Sequence, residues 1–167
     1  MLTLLFTKTS NDSKYLVNLI KKSKTKVCYV TLNKSCRSIF AILKKAHVKK
    51  DKVYFIDCIS ARIQTPKPVN NCKYISSPYD FDEIGSSITR AILQGHTFLI
   101  FDSLSNLLAY GPAVPAGVDI LSRFISRFLP VLNKKNGEAV FVCKSVDKTN
   151  LVIAESLQIF NKIKEVK

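Results

Sequence analysis

Residues 98–103 read Phe98-Leu99-Ile100-Phe101-Asp102-Ser103, an unbroken apolar run that ends in an aspartate. A strand buried on both faces has this character, because neither side of it meets water. Working outward, segments 2–7 (LTLLFT), 27–32 (VCYVTL), 53–58 (VYFIDC) and 138–143 (EAVFVC) have the same composition. Tyr74-Ile75 and residues 162–166 read as two shorter strands. The run at 53–58 also reaches an aspartate, Asp57.

Between these runs the apolar spacing changes to a helical period. Asn11, Asp12 and Ser13 can cap a helix with Tyr15, Leu16, Leu19 and Ile20 on one face. Asn33 or Ser35 starts a second helix, with Ile39, Phe40, Leu43 and Ala46 inward. Ser77-Pro78 opens a third over about 79–94, and Asp80, Asp82 and Glu83 suit the positive end of its dipole. A long helix is expected over 113–135, broken from the preceding strand by Gly111-Pro112 and bent or interrupted at Pro130. A last helix is expected around 148–160, and residues 60–72, with Pro66, Pro68, Asn70 and Asn71, read as an exposed loop.

Strands that are apolar on both faces need helices on both sides. The expectation is therefore one domain over 1–167, an α/β fold built as a three-layer α/β/α sandwich with a mostly parallel central sheet. Ligands of such sheets bind outside the carboxyl ends of the strands.

Bulk properties narrow the function. No run of about 18 apolar residues exists, so no membrane span is expected. The opening MLTLLFTKTS lacks a basic leader and reads as a first strand rather than a signal peptide. Five cysteines (Cys28, Cys36, Cys58, Cys72 and Cys143) include no C-x-x-C pair, which argues against a zinc site and for a reducing, cytoplasmic setting. The net charge of +14 invites a nucleic-acid reading. Only five of the 26 basic residues are arginine, however, and the lysines scatter over element ends. A solvated lysine-rich surface is favoured over a nucleic-acid site.

An apolar strand ending in Asp is also how P-loop proteins present a carboxylate to magnesium beside bound phosphates. Their phosphate turn, G-x-x-x-x-G-K-[ST], needs glycines that let the backbone approach the oxygens. The first glycine of this chain is Gly85, far beyond where that turn would sit.

The order of YVTLNKS, VYFIDC, SPYDFDEIGSSITRAIL, FLIFDSLSNLLAY, a long helix and VFVCK resembles the RecA-like ATPases of the KaiC type. The likeness is strongest to their small archaeal relatives with no intact P-loop, and it spans nearly the whole chain. In the register it implies, Lys8 and Ser13 stand for the two loop glycines, Lys14 for the loop lysine and Tyr15 for the magnesium-binding hydroxyl residue. Asn33 and Lys34 stand where the family carries catalytic carboxylates, and Asp102 matches the magnesium-orienting aspartate. Lys8, Ser13, Lys14, Asp102 and Ser103 are the residues that would line any retained cofactor site.

Loop, hydroxyl and base are altered together, so ATP hydrolysis is not expected, nor a catalytic residue, a metal ligand or an ATP–magnesium cofactor. The resemblance implies instead a non-catalytic regulatory or protein-interaction module, with a protein partner or self-association. The apolar, Gly- and Pro-containing segment 107–118 (LLAYGPAVPAGV) is its candidate contact loop. Three alternatives stand beside this reading. One is a non-hydrolysing binder of ATP or another phosphate-bearing ligand, with Lys8, Lys14, Lys34, Asp102 and Lys144 converging at the strand ends. The second is nucleic-acid binding through the lysine surface. The third, an enzyme using Cys36, Cys58 or Cys143, lacks a histidine with a claim to partner any of them.

Overall fold

The computed structural model describes residues 1–8, 12–109 and 118–166. Seven strands form one sheet: β1 (Leu2–Thr7), β2 (Val27–Thr31), β3 (Val53–Asp57), β4 (Cys72–Tyr74), β5 (Phe98–Asp102), β6 (Glu138–Lys144) and β7 (Lys162–Glu165). Their order across the sheet is β4-β3-β2-β5-β6-β1-β7, and every pairing is parallel. The helices are α1 (Asp12–Lys22), α2 (Cys36–Lys45), α3 (Ser60–Ile63), α4 (Phe81–Leu93), α5 (Leu104–Ala109), α6 (Val118–Lys134) and α7 (Leu151–Ser156).

The apolar strands divide their side chains between two cores, as period-2 geometry requires. Leu5, Tyr29, Phe55, Ile100 and Val142 face Leu16 and Ile20 of α1 and Ile39 and Leu43 of α2. Leu4, Val30, Ile56, Phe101 and Phe141 face Ile88 of α4, Leu107 of α5, Phe124 and Phe128 of α6 and Ile153 of α7. This is the expected three-layer α/β/α sandwich, and the fully parallel sheet follows from burial on both faces.

Local sequence explains most helix starts. Ser35, Asp80 and Asn150 each accept a backbone N–H from the first turn of the helix that follows. Gly137 ends the connection from α6 to β6, where a Cβ would lie 2.4 Å from Leu132 Cδ1 and 2.6 Å from the Thr97 carbonyl oxygen. Only a residue without a side chain fits that approach.

Several expectations need correction. Residues 60–72 are not wholly loop: Ser60–Ile63 form one helical turn, and the edge strand begins at Cys72 rather than at Tyr74. Helix α5 follows β5 directly, and its six residues are too few to show a period in the sequence. Pro130 does not interrupt α6, which runs through it. The ring is exposed. The final helix is shorter than expected, ending at Ser156 and passing into a 3-10 turn over Leu157–Ile159. Asn11, Gly111, Pro112 and residues 110–117 of the candidate contact loop lie outside the described residues. Among the described residues no helix is long and apolar enough to cross a membrane.

Candidate functional site at the strand ends

The sheet order places a switch point between β2 and β5. From β2 the chain leaves to α2 on one face, and from β5 it leaves to α5 and α6 on the other. The crevice between two such diverging loops is where open parallel sheets bind ligands. Register brings three polar residues level at this end, with Thr31 opposite Asp57 on one side and opposite Asp102 on the other. All three are buried.

Asp102 accepts a hydrogen bond from the Tyr29 hydroxyl, with 2.6 Å between that oxygen and Oδ2. Tyr29 lies two residues before Thr31 on β2, so parallel pairing sets its ring diagonally beside Asp102 on the α1–α2 face. No spacing in the sequence points to this contact. Its only signal is a tyrosine in a run otherwise suited to aliphatic residues, whose hydroxyl must find a partner when buried. Ser103 and Ser105, which follow Asp102, are directed elsewhere. Ser103 Oγ donates to Asn106 Oδ1, and Ser105 Oγ accepts the Lys144 N–H at 2.7 Å and faces Cys143 Sγ. The Asp102–Ser103 peptide is cis.

Lys34 is the second residue the site brings in. Its Nζ donates to Ser13 Oγ at 2.8 Å, bridging the β2–α2 loop to the first turn of α1. The loop is pinned behind it, since Thr31 Oγ1 donates to the Lys34 carbonyl at 2.7 Å. Ser13, Tyr29, Lys34 and Asp102 line a cavity of about 20 Å³ among the described residues. That is room for about one water, against the several hundred Å³ of a typical small-molecule site. Of the other expected site residues, Lys8 and Lys14 are exposed, and Lys14 lies on the outer face of α1. Lys144 is half-buried. Two buried hydroxyls near the strand ends, Thr7 Oγ1 and Ser145 Oγ, have no hydrogen-bond partner among the described residues.

Asp57 is built differently. Its Oδ1 accepts the N–H groups of Ile59 and Ser60, both at 2.9 Å. Its Oδ2 accepts the Cys36 N–H at 2.8 Å and the Ser60 hydroxyl at 2.7 Å. One carboxylate thus serves the starts of α2 and α3 together. Burial pushes its acidity toward the neutral form, but the N–H of Cys36, the N–H and hydroxyl of Ser60 and the N–H of Ile59 outweigh that. The carboxyl is held below its usual range.

Among the described residues one group could offer three metal-ligand atoms, Cys36, Asp57 and Cys72, all within 4.8 Å of one another. No spacing pattern announces it, because the two cysteines are far apart in the chain and meet only when β4 pairs with β3.

No protein-family model matches the chain, and no curated protein matches it. The fold does match a solved structure, a KaiC-like protein of the hyperthermophilic archaeon Pyrococcus horikoshii. The TM-score is 0.61 at 11% identity, over 99% of this chain and 71% of that one. The fold is KaiC-like and RecA-like, as the order of the sequence segments implied, and at that identity the likeness concerns the fold alone.

Proposed function

We propose that the protein is a non-catalytic RecA/KaiC-like domain, a small archaeal-type member with a degenerate phosphate loop. It acts in the cytoplasm as a regulatory or protein-interaction module. The observation that carries this reading is the state of Asp102. In an ATPase of this fold that carboxylate serves magnesium, whereas here the Tyr29 hydroxyl holds it at 2.6 Å on the inner wall of a cavity of about 20 Å³. The Lys34–Ser13 contact supports the reading too, because an ammonium stands where the resemblance calls for a carboxylate base. Val146 and Leu151, 76% and 70% exposed after β6, give the same end of the sheet apolar surface for a protein partner or a second copy.

A second reading, binding of ATP or another phosphate-bearing ligand without turnover, is favoured by the unpaired Thr7 and Ser145 hydroxyls and the Lys34 ammonium near the strand ends. Thermal unfolding with ATP, ADP and magnesium at low and moderate salt separates the two. The interaction module shows no shift at millimolar nucleotide and releases no phosphate. A rise in midpoint at both salts replaces the first reading by the second, since a ligand selective for the folded state stabilises it. A rise confined to low salt reports the lysine surface.

A further inference from the structure

Away from the switch point, the β3–β4 edge of the sheet brings two thiols together. Cys36 is the first residue of α2 and Cys72 the first of β4. Cys72 pairs with Phe55, which faces the α1–α2 layer, so its side chain shares that face with the start of α2. The two sulfur atoms lie within 4.8 Å of each other. Cys36 Sγ also donates to the Tyr74 hydroxyl at 3.5 Å, and Tyr74 donates to the Lys67 carbonyl at 3.3 Å. Beside them opens a cleft of about 250 Å³ lined by Cys36, Arg37, Phe40, Lys50, Phe55 and Val69.

Asp57 completes the trio in distance but is poorly suited to a metal. Both its oxygens already accept two hydrogen bonds each, and these hold the ends of α2 and α3. The chemistry left to the cluster is that of the two sulfurs.

We propose that Cys36 and Cys72 form a peroxide-oxidisable dithiol, with Cys36 the reacting thiolate and Cys72 the thiol that closes a disulfide. In the first step the Cys36 sulfur attacks one peroxide oxygen and the O–O bond breaks. The departing oxygen takes a proton and leaves as water, and Cys36 becomes a sulfenic acid. In the second step the Cys72 sulfur attacks the Cys36 sulfur. The S–O bond breaks, the Cys72 proton goes to the departing hydroxide, and a second water leaves. Each sulfur gives up one electron, and peroxide takes both.

The division of labour follows the surroundings. Cys36 lines the cleft as the first residue of α2, and the Cys72 thiol beside it is the largest influence on it and, with the Tyr74 hydroxyl, outweighs burial, holding the thiol below its usual range. The closeness of Cys36 pushes the Cys72 thiol up, as does its own burial. Cys36 is buried like Cys28, Cys58 and Cys143, but it lines the cleft, whereas desolvation pushes the thiols of the other three up. The bond would tie the edge strand to the start of α2, at the end of the loop that carries Lys34.

The test is hydrogen peroxide at slight excess over the full chain, followed by alkylation and peptide mapping by mass spectrometry. The expected product is a Cys36–Cys72 linked peptide, with a midpoint raised by roughly 5–10 °C and returned by dithiothreitol. Cys72→Ser should leave a sulfenic acid at Cys36 that dimedone traps. Cys36→Ser should leave Cys72 unoxidised under the same dose. Peroxide that leaves both thiols alkylatable, or that links another pair, overturns the proposal. So does one equivalent of zinc shielding both thiols in a protein that peroxide does not oxidise.

Discussion

Two aspartates end neighbouring apolar strands, flank Thr31 at the same level of the sheet, and do different work. Asp57 is 0% exposed and has four donors, three of them from its own loop and one from the start of α2. Asp102 is 7% exposed and takes a hydroxyl from the strand beside it, at the point where the chain diverges to opposite faces. Apolar residues followed by Asp therefore specify a strand end with a buried carboxylate. What that carboxylate does depends on which donors the neighbouring loops deliver. At β3 the loop turns at once into α3 and presents its own N–H groups. At β5 the loop enters α5, and Ser103 and Ser105 turn to Asn106 and Lys144.

The comparison breaks most severely at Asp57. Asp57→Ala leaves the N–H groups of Cys36, Ile59 and Ser60 without their acceptor, and urea unfolding should show a loss of about 3–5 kcal/mol. Asp57→Asn should recover part of it. The same site sets an acid limit. Because the folded carboxyl is held below its unfolded value near 3.8, its stabilisation is fully present above that value and fades as pH falls toward the folded one. Unfolding of the wild type between about pH 5 and pH 2 should lose stability that Asp57→Asn, already without the charge, does not lose.

At the other aspartate the expected effect is smaller. Tyr29→Phe keeps the ring and removes one hydrogen bond to Asp102, so the loss should be about 1–2 kcal/mol in the same assay. A double-mutant cycle with Asp102→Asn should show coupling of similar size, and additive losses would mean that the pair does not act as one. Lys34→Ala, which removes an exposed ammonium from Ser13, should shift stability by less than about 0.5 kcal/mol. A larger loss there would show that the β2–α2 loop depends on that bridge.

Much of this was legible because burial on both faces writes itself into composition. The strands β1, β2, β3, β5 and β6 fall within a residue or two of the apolar runs, and α1, α2 and α4 follow the 3.6-residue period. Elements too short to show a period were not legible, namely the turn of α3 and the six residues of α5. That α6 continues through Pro130, whose ring is exposed, is a fact of packing rather than of residue type. Of the candidate site, Asp102 and Ser13 come together through Lys34 and a shared cavity, while Lys8 and Lys14 remain on the surface.

By itself the sequence determined the layers of the fold, the strand-end aspartates and the departure of residues 8–15 from a glycine-rich phosphate loop. Each is a local property, carried by which residues are apolar and which lack a side chain. Tertiary structure alone decided that Tyr29 meets Asp102, that Lys34 reaches Ser13 and that Cys36 lies beside Cys72. These partners are brought together by parallel pairing across the sheet. Register in a parallel sheet is set by which strands become neighbours and how the helices cover them, and no local pattern in the chain encodes that choice.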